Sequence, residues 1–248
     1  MPELPDDPRA RQAELERWAS EQWLEDQRPT GIPWRSLADG VAKAPGQVAG
    51  ASALLANRVL DRGLRTAGDV HRPEHAHADR VHYVPTAWHV LPRALRTLEA
   101  SDRDTFIDFG CGKGRVVHQA AKRPFRRVVG VEISEELAEI ARRGLAARRR
   151  EHRCPQVEIV VSDAAAFPIP EDLTIAFLFD PFSAGTLDAV LNNLVGSLDR
   201  HPRRLRLIFV HPRCGAQVLA TGRFRLVSEQ RGGLKDIRLF RTALFESC

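Results

Sequence analysis

The stretch Thr105-Phe-Ile-Asp-Phe-Gly-Cys-Gly-Lys-Gly114 joins a short apolar run to a glycine-rich turn. The β-branched and aromatic residues of its first half predict a buried strand, and the residues after the turn fit a helix. Glycine lets the backbone take a positive φ and lets a ligand approach closely, so the turn predicts a binding site at the carboxyl end of this strand. The stretch therefore favours a doubly wound α/β fold.

Apolar, strand-length runs alternate with helical segments in the rest of the chain, which predicts a mostly parallel sheet. Further strands are expected at Arg127 to Glu132, Val157 to Val161, Leu173 to Phe179 and Leu205 to Val210. Helices are expected at Arg115 to Lys122, Glu135 to Arg150, Thr186 to Leu198 and Cys214 to Ala220. Phe224 to Glu229 and Asp236 to Phe240, joined across Arg231-Gly-Gly233, predict a C-terminal antiparallel hairpin that closes the sheet edge. The expected fold is a Rossmann-like seven-stranded sheet.

The part of the chain before residue 83 has a different sequence pattern. Residues 1–70 carry amphipathic helical patterns, for example around Trp18 and Trp23, and predict a helical N-terminal region. Residues 71–82 are His-rich and proline-interrupted, which predicts a linker or lid, and residues 83–248 form the main domain. In that domain Thr86 is expected to cap a helix that runs to Glu99 with a kink at Pro92.

Composition bounds the class of protein. The chain has 248 residues, 43 % hydrophobic and 28 % charged, which suits one full-sized globular core with an appendage. No apolar run approaches the roughly 20 residues of a membrane helix, and the acidic, proline-broken start resembles no targeting signal, so a cytoplasmic protein is expected. The net charge of +5 hints at an anionic partner. However, only four of the 37 basic residues are Lys, and such a predominance of Arg can reflect genomic composition. We therefore expect no nucleic-acid partner and no membrane.

Metal binding is not expected either. Five histidines crowd one stretch, namely His71, His75, His77, His82 and His89. Pro73 prevents His71 and His75 from sharing one helical face, and no Cys lies nearby, so a solvated lid is the better interpretation. The four cysteines are scattered without a CxxC pair, which excludes the usual zinc and thioredoxin motifs.

The glycine turn has the spacing GxGxG. A dinucleotide fingerprint would need a third glycine where Arg115 stands, and a phosphate loop would need Ser or Thr where Gly114 stands. Two acids add to the pattern: Glu132 ends the second strand, where a carboxylate can bind both hydroxyls of a ribose, and Asp163 follows the third, where it can accept a hydrogen bond from an adenine amine.

Together with Asp180-Pro-Phe182 after the fourth strand, these motifs resemble the class I S-adenosylmethionine-dependent methyltransferase family over roughly Tyr83 to Phe245. The turn is most similar to bacterial members that read Asp-Phe-Gly-Cys-Gly-Lys-Gly-Arg, and Tyr83-Val-Pro-Thr86 is similar to a segment of some protein-lysine methyltransferases. The resemblance implies S-adenosylmethionine as cofactor and S-adenosylhomocysteine as product. The cofactor-binding residues that it implies are Tyr83, Thr86, Asp108, Gly110, Cys111, Gly112, Gly114, Glu132, Ile133, Asp163 and Ala164.

Candidate catalytic residues follow the fourth and fifth strands. Asp180 precedes a stiff Pro-Phe turn that can aim a side chain at the methyl group, and a carboxylate there would attract an ammonium and help remove its proton. Asp180 can equally stabilise the turn. His211 can serve as a base or as a structural histidine, and Phe182 can contact the substrate or pack in the core. The family pattern for nucleobase amines has a second proline, which this chain lacks.

Three functions stay open at this level. The first is N-methylation of a protein or peptide side chain, and the second is N- or O-methylation of a small-molecule intermediate. The third is a non-catalytic scaffold that only binds the cofactor. A nucleic-acid methyltransferase would need a continuous basic stripe, built for example from Arg148, Arg149 and Arg150 together with Arg203, Arg204 and Arg206. The acceptor and the oligomeric state are not determined by the sequence.

Overall fold

A computed structural model describes Asp61, Leu64 and Thr66 and the ranges 85–179, 184–210, 215–231 and 241–248. Apart from Asp61, Leu64 and Thr66, the expected N-terminal helices and the His-rich segment lie outside the described residues. The division of the chain near residues 70 and 82 therefore stays a prediction.

In the described ranges seven strands form one sheet, which confirms the predicted fold class. The strands are β1 (Thr105–Phe109), β2 (Arg127–Glu132), β3 (Gln156–Val161), β4 (Leu173–Phe179), β5 (Arg206–Val210), β6 (Phe224–Arg231) and β7 (Arg241–Ser247). Their order across the sheet is β3-β2-β1-β4-β5-β7-β6. The first five strands are parallel, and β7 runs antiparallel between β5 and β6. The sequence order reverses between β1 and β4, which is where doubly wound folds bind ligands.

Helices connect the strands and cover both faces of the sheet. They are α1 (Val90–Leu95), α2 (Arg115–Ala121), α3 (Glu135–Ala147), α4 (Ala184–Arg200) and α5 (Gly215–Ala220), with a short 3-10 helix at Arg149–Glu151. Side chains of α4 and α5 pack on one face against Ile107 and Phe109, and those of α1 and α2 pack on the other face against Phe106. Phe106 and Phe109 are fully buried, so β1 lies at the centre of both halves of the core.

The expected helix from Thr86 to Glu99 was wrong in its extent. The helix observed is α1, which has six residues and begins after His89, without a side-chain cap from Thr86. Pro92 is its third residue. Proline is tolerated in the first turn of a helix because the N–H that it lacks has no partner there, whereas a helix begun at Thr86 would put Pro92 in its interior. The proline therefore fixes where α1 begins.

The hairpin is present, but its second strand lies later in the chain than predicted. This strand, β7, comprises Arg241–Ser247 and pairs with β6 from Phe224↔Ser247 to Arg231↔Arg241. Residues 236–240 lie outside the described part. The turn glycines correctly predicted an antiparallel hairpin. The apolar residues around Leu239 led to a predicted second strand that begins too early in the sequence. Moreover, β7 also pairs with β5, so β6 rather than β7 forms the sheet edge.

Within the described ranges, no helix combines the length and the apolar character that crossing a bilayer would need.

Candidate functional site

The glycine turn after β1 adopts the backbone geometry that its composition predicts. Gly110, Gly112 and Gly114 have φ of 78°, 54° and 78°, in the region that side chains other than glycine rarely adopt. The carbonyl of Val131, near the end of β2, accepts hydrogen bonds from the amides of Gly110 (2.8 Å) and Cys111 (3.0 Å). The neighbouring strand therefore determines the path of the turn.

Two glycines allow close packing behind the turn. A Cβ on Gly114 would lie 2.9 Å from Cβ of Ala141, so the start of α2 packs directly on α3. A Cβ on Gly130 in β2 would lie 2.7 Å from Sγ of Cys111 and 2.8 Å from Cγ2 of Val117. Gly130 thus provides the space that the Cys111 side chain occupies, and a larger residue there would push against the turn.

The carboxylate of Glu132 joins β2 to the glycine turn. Its Oε2 accepts a hydrogen bond from the amide of Gly112 (2.8 Å), and its Oε1 accepts one from the amide of Ser134 (2.9 Å). A carboxylate offers about four lone-pair positions, so these two bonds orient the group without exhausting its capacity to accept. Glu132 is buried, with 7 % of its surface exposed.

Asp108, the second acid of the site, is 3 % exposed. It pairs with Gly130 across β1 and β2, so its side chain projects from the same face of the sheet as that of Glu132. Burial, and then the negative charge of Glu132, hold the pKa of the Asp108 carboxyl well above its usual range. The same surroundings raise the pKa of the Cys111 thiol, which is therefore protonated and unreactive. This site would favour a cation.

Residues after β2 and β3 form the outer part of the same edge. Ile133 exposes 41 % of its surface, which is unusual for a large apolar residue, and Ala164 is buried. The amide of Ser162 donates to the carbonyl of Glu132 (3.0 Å), and the carboxylate of Asp163 accepts from the amide of Ala165 (2.9 Å). Glu132, Ile133 and the loop that carries Asp163 are thus held side by side, with an apolar side chain open to solvent between two acids.

The predicted catalytic residues follow two neighbouring strands. Phe179 and Val210 pair directly at the carboxyl ends of β4 and β5. Asp180 and Phe182 follow β4 in the sequence, and His211 follows β5. These three residues and Tyr83 lie outside the described residues, so their roles stay predictions.

Sequence reasoning missed Arg115, the first residue of α2. Its guanidinium is buried and forms an ion pair with the Asp61 carboxylate at 3.1 Å. It also donates a hydrogen bond to the carbonyl of Thr86 at 2.8 Å, so Thr86 does lie next to the glycine turn. A signal was present in the sequence, because a cation in the first turn of a helix opposes the helix dipole and requires compensating partners.

A pair of histidines was also missed. Nδ1 of His118 in α2 lies 3.0 Å from Nε2 of His152, in the loop before β3. Burial, with Lys122 next, lowers the pKa of His118 to about 4. Burial also lowers the pKa of His152. One ring must donate and the other accept, so the accepting imidazole must be neutral, and the lowered pKa of each histidine keeps both rings neutral at pH 7.

The arginines named for a nucleic-acid stripe include two whose guanidinium groups bind other parts of the fold. Arg206 is buried and pairs with Asp104. Arg203 donates to the carbonyls of Leu173 (2.6 Å) and His201 (2.8 Å), so it too is occupied inside the fold. Two of the six candidate arginines therefore have structural roles.

Comparisons with known proteins agree with this geometry. Residues 106–201 match a family described as a methyltransferase domain. A protein-lysine N-methyltransferase of Saccharolobus islandicus (strain REY15A) is 35 % identical over 95 residues, which cover 36 % of this chain and 59 % of that protein. The chain thus spans less than two thirds of the length of this curated relative.

Two solved structures of low sequence identity are among the matches to this chain. An RNA methyltransferase from Salinibacter ruber, in complex with S-adenosyl-L-homocysteine, has a TM-score of 0.48 and 21 % identity, and the match covers 66 % of this chain and 94 % of that one. The PH0226 protein from Pyrococcus horikoshii OT3 has a TM-score of 0.49 and 18 % identity, with 64 % and 88 % covered.

The family assignment rests on the matched sequence. The matched residues include β1, the glycine turn and Glu132, and they extend through α4. Their motifs occur at the expected ends of the strands. Residues 106–201 therefore belong to a class I S-adenosylmethionine-dependent methyltransferase domain.

Proposed function

We propose that this protein transfers a methyl group from S-adenosylmethionine to a nitrogen atom on a protein or peptide side chain. The observation that carries the proposal is the pair of buried carboxylates, Asp108 and Glu132, beside a turn of positive-φ glycines. The donor combines an ammonium, a sulfonium and a carboxylate, with a positive net charge, and also carries a ribose and an adenine. Each of these groups finds a chemical complement along this edge of the sheet.

The charge of the site fits a cationic donor. Two buried carboxylates repel each other, and this repulsion contributes to the raised pKa of Asp108. A cation bound between them would relieve the repulsion and restore the ionised form of Asp108. A phosphate group would add a third negative charge, which argues against a dinucleotide at this position. We therefore assign Asp108 and the glycine turn, whose lack of side chains permits close approach, to the methionine part.

The ribose and the adenine are assigned to the outer part of the site. Glu132 already accepts two backbone amides and keeps lone pairs that can accept from ribose hydroxyls. Ile133 is open to solvent next to Glu132 and offers an apolar surface for one face of adenine. Asp163 and Ala164 would flank the other side of the base, where a carboxylate can accept from the exocyclic amine.

The bound donor supplies a methyl group on an electrophilic sulfur, so the protein needs no covalent nucleophile. What the chain must supply is orientation, exclusion of water and a place for the acceptor's proton. Asp180 is assigned to attract an acceptor ammonium and to take up its proton, because a lysine amine with a pKa near 10.4 is mostly protonated at pH 7. His211 is the alternative base, and Phe182 would contact the acceptor. Asp180 and His211 directly follow β4 and β5 in the sequence, and these two strands pair at Phe179↔Val210.

One relative supports a protein or peptide as the methyl acceptor. The Saccharolobus protein is named a protein-lysine N-methyltransferase, and a carboxylate at Asp180 suits an ammonium better than an acceptor carboxylate. The main rival is N- or O-methylation of a small-molecule intermediate. The buried, mutually repelling acids lower stability unless a ligand compensates for them, so they support donor binding. A scaffold that binds the donor without transferring its methyl group is distinguished from an enzyme by methyl transfer to an acceptor.

Calorimetric titration with S-adenosylmethionine tests the donor assignment. Wild type should bind saturably, and Glu132→Ala should weaken the affinity by at least about tenfold, the equivalent of one strong hydrogen bond. The control is Glu158→Ala on the neighbouring β3, whose side chain is 52 % exposed, and which should bind like wild type. If folded wild type fails to bind, the assignment is wrong.

An acceptor assay with a labelled methyl group then separates the rivals. The protein acceptor hypothesis expects label on lysine-containing peptides and little on free lysine or other small amines. The variant Asp180→Asn should lower kcat while leaving the donor Kd unchanged. Equal rates with peptides and small amines would count against a polypeptide acceptor.

A further inference from the structure

Arg115 is a cation placed where the fold does not favour one. It lies in the first turn of α2, directly after Gly114, and is 5 % exposed. The start of a helix carries partial positive charge, and α2 has no acidic residue in its first turn to compensate. A buried guanidinium is tolerated only if its N–H groups find acceptors, so its partners define its role.

Each part of the guanidinium has a separate partner. Nε donates to Oγ1 of Thr66 (2.8 Å), Nη1 to the carbonyl of Thr86 (2.8 Å) and Nη2 to the Asp61 carboxylate (3.1 Å). The carbon of the guanidinium also lies 5.3 Å from the centre of the Trp88 ring. One side chain therefore joins the helix that follows the glycine turn to two segments that precede the sheet.

Three described residues that precede the sheet are packed into the domain. Asp61, Leu64 and Thr66 are 8 %, 2 % and 0 % exposed. The amide of Thr66 donates to Oδ1 of Asp61 (3.2 Å), which holds these two partners of the arginine together. Leu64 lies over Gly144 of α3, where an added Cβ would be 3.4 Å from Cδ2 of Leu64. These residues thus contact the helices that follow both donor-binding strands.

We propose that Arg115 is a positioning residue that couples donor binding to the docking of Asp61, Leu64 and Thr66. The inference rests on the proposed function. A donor that occupies the glycine turn orders Gly114 at the start of α2, where the helix packs closely on Ala141 of α3, and thereby orders the adjoining Arg115. Coupling between two sites is reciprocal, so the docked residues in turn strengthen donor binding. Part of the chain before the sheet is therefore a component of the donor site.

The test compares two conservative substitutions in buried Arg–Asp pairs. Arg115→Lys keeps the charge but replaces the three-way fork by a single amine, which cannot reach all three acceptors. Arg206→Lys makes the same change in the Arg206–Asp104 pair, which lies at the amino ends of β1 and β5, away from the glycine turn, and is buried to a similar degree. Both variants should unfold more easily than wild type. Only Arg115→Lys should weaken S-adenosylmethionine binding, by about tenfold, within the usual range of coupling between sites.

Hydrogen exchange of the full chain gives a second measurement that needs no variant. Addition of S-adenosylmethionine to wild type should slow exchange in peptides that contain residues 61–66, because docking protects the amide of Thr66. Peptides that contain Arg206 should change little. If Arg115→Lys does not fold, Thr66→Val replaces it: this variant removes one acceptor with little change in shape and should weaken donor binding by about threefold.

The outcomes are distinct. Wild type that binds no S-adenosylmethionine would defeat the proposed function itself. If wild type binds the donor, but Arg115→Lys or Thr66→Val binds as tightly as Arg206→Lys and the donor does not protect residues 61–66, the coupling is overturned and the proposed function stands.

Discussion

Replacement of Glu132 by Gln should destabilise the protein even without a ligand. Oε1 accepts a hydrogen bond from the amide of Ser134 at 2.9 Å, and Oε2 accepts one from the amide of Gly112 at 2.8 Å. A glutamine amide has one oxygen, so its NH₂ group must face one of these N–H donors. The variant loses one charge-assisted hydrogen bond and leaves a buried amide without an acceptor.

The expected loss can be set from these two effects. A hydrogen bond to a charged group contributes about 1.5–3 kcal/mol, and the relief of repulsion with Asp108 offsets part of its loss. We expect the free energy of unfolding to fall by about 2 kcal/mol, which lowers Tm by about 4–8 °C for a domain of this size.

Urea denaturation at pH 7 measures this change, with Glu158→Gln on β3 as the matched control. The control should stay within about 0.5 kcal/mol of wild type because its side chain is half exposed. If Glu132→Gln has the same midpoint and slope as wild type, the two backbone bonds do not stabilise the turn and the reasoning fails.

Three further predictions concern the same region. Donor affinity should rise with pH as Asp108 ionises, because its pKa is raised; calorimetry across pH should show this rise in wild type and not in Asp108→Asn. Gly130→Ala should destabilise the protein by about 1–3 kcal/mol through its contact with Sγ of Cys111, and Cys111→Ala in the same chain should recover part of the loss, as read by thermal melts. His118 takes up a proton near pH 6.5 in the unfolded chain but only near pH 4 in the folded protein. The free energy of unfolding should therefore fall as the pH is lowered from about 6.5 to about 4, and His118→Asn should flatten that part of the curve of stability against pH.

The sequence predicted the strands around the site better than the helices. β1 and β2 are observed with the predicted bounds because β-branched and aromatic residues are concentrated in each short run. The bounds of α1 were missed because Pro92 has opposite meanings in the first turn and in the interior of a helix. Which of these applies depends on where the chain enters the helix, and that depends on tertiary packing.

The residues of the turn were found because glycine and acidic positions repeat at a short, fixed spacing. Arg115 was assigned no role because its partners lie 29 to 54 residues earlier in the chain. Contacts over such distances leave no periodic pattern in the sequence. His118 and His152, 34 residues apart, were missed for the same reason. The histidines that were noticed, those around His75, stood out only because they are neighbours in the sequence.

The position of β7 also constrains how the protein is made. A ribosome releases β5 first, then β6 and then β7, yet β7 takes the place between the other two. Until residues 241–247 emerge, the edge of β5 has no partner strand, and its apolar side chains Leu207 and Phe209 are those that the folded protein buries. Unpaired edges of this kind invite association with other chains. Stalled or truncated synthesis products that end before β7 should therefore aggregate, and chaperones that protect strand edges should be needed most during the last step of translation.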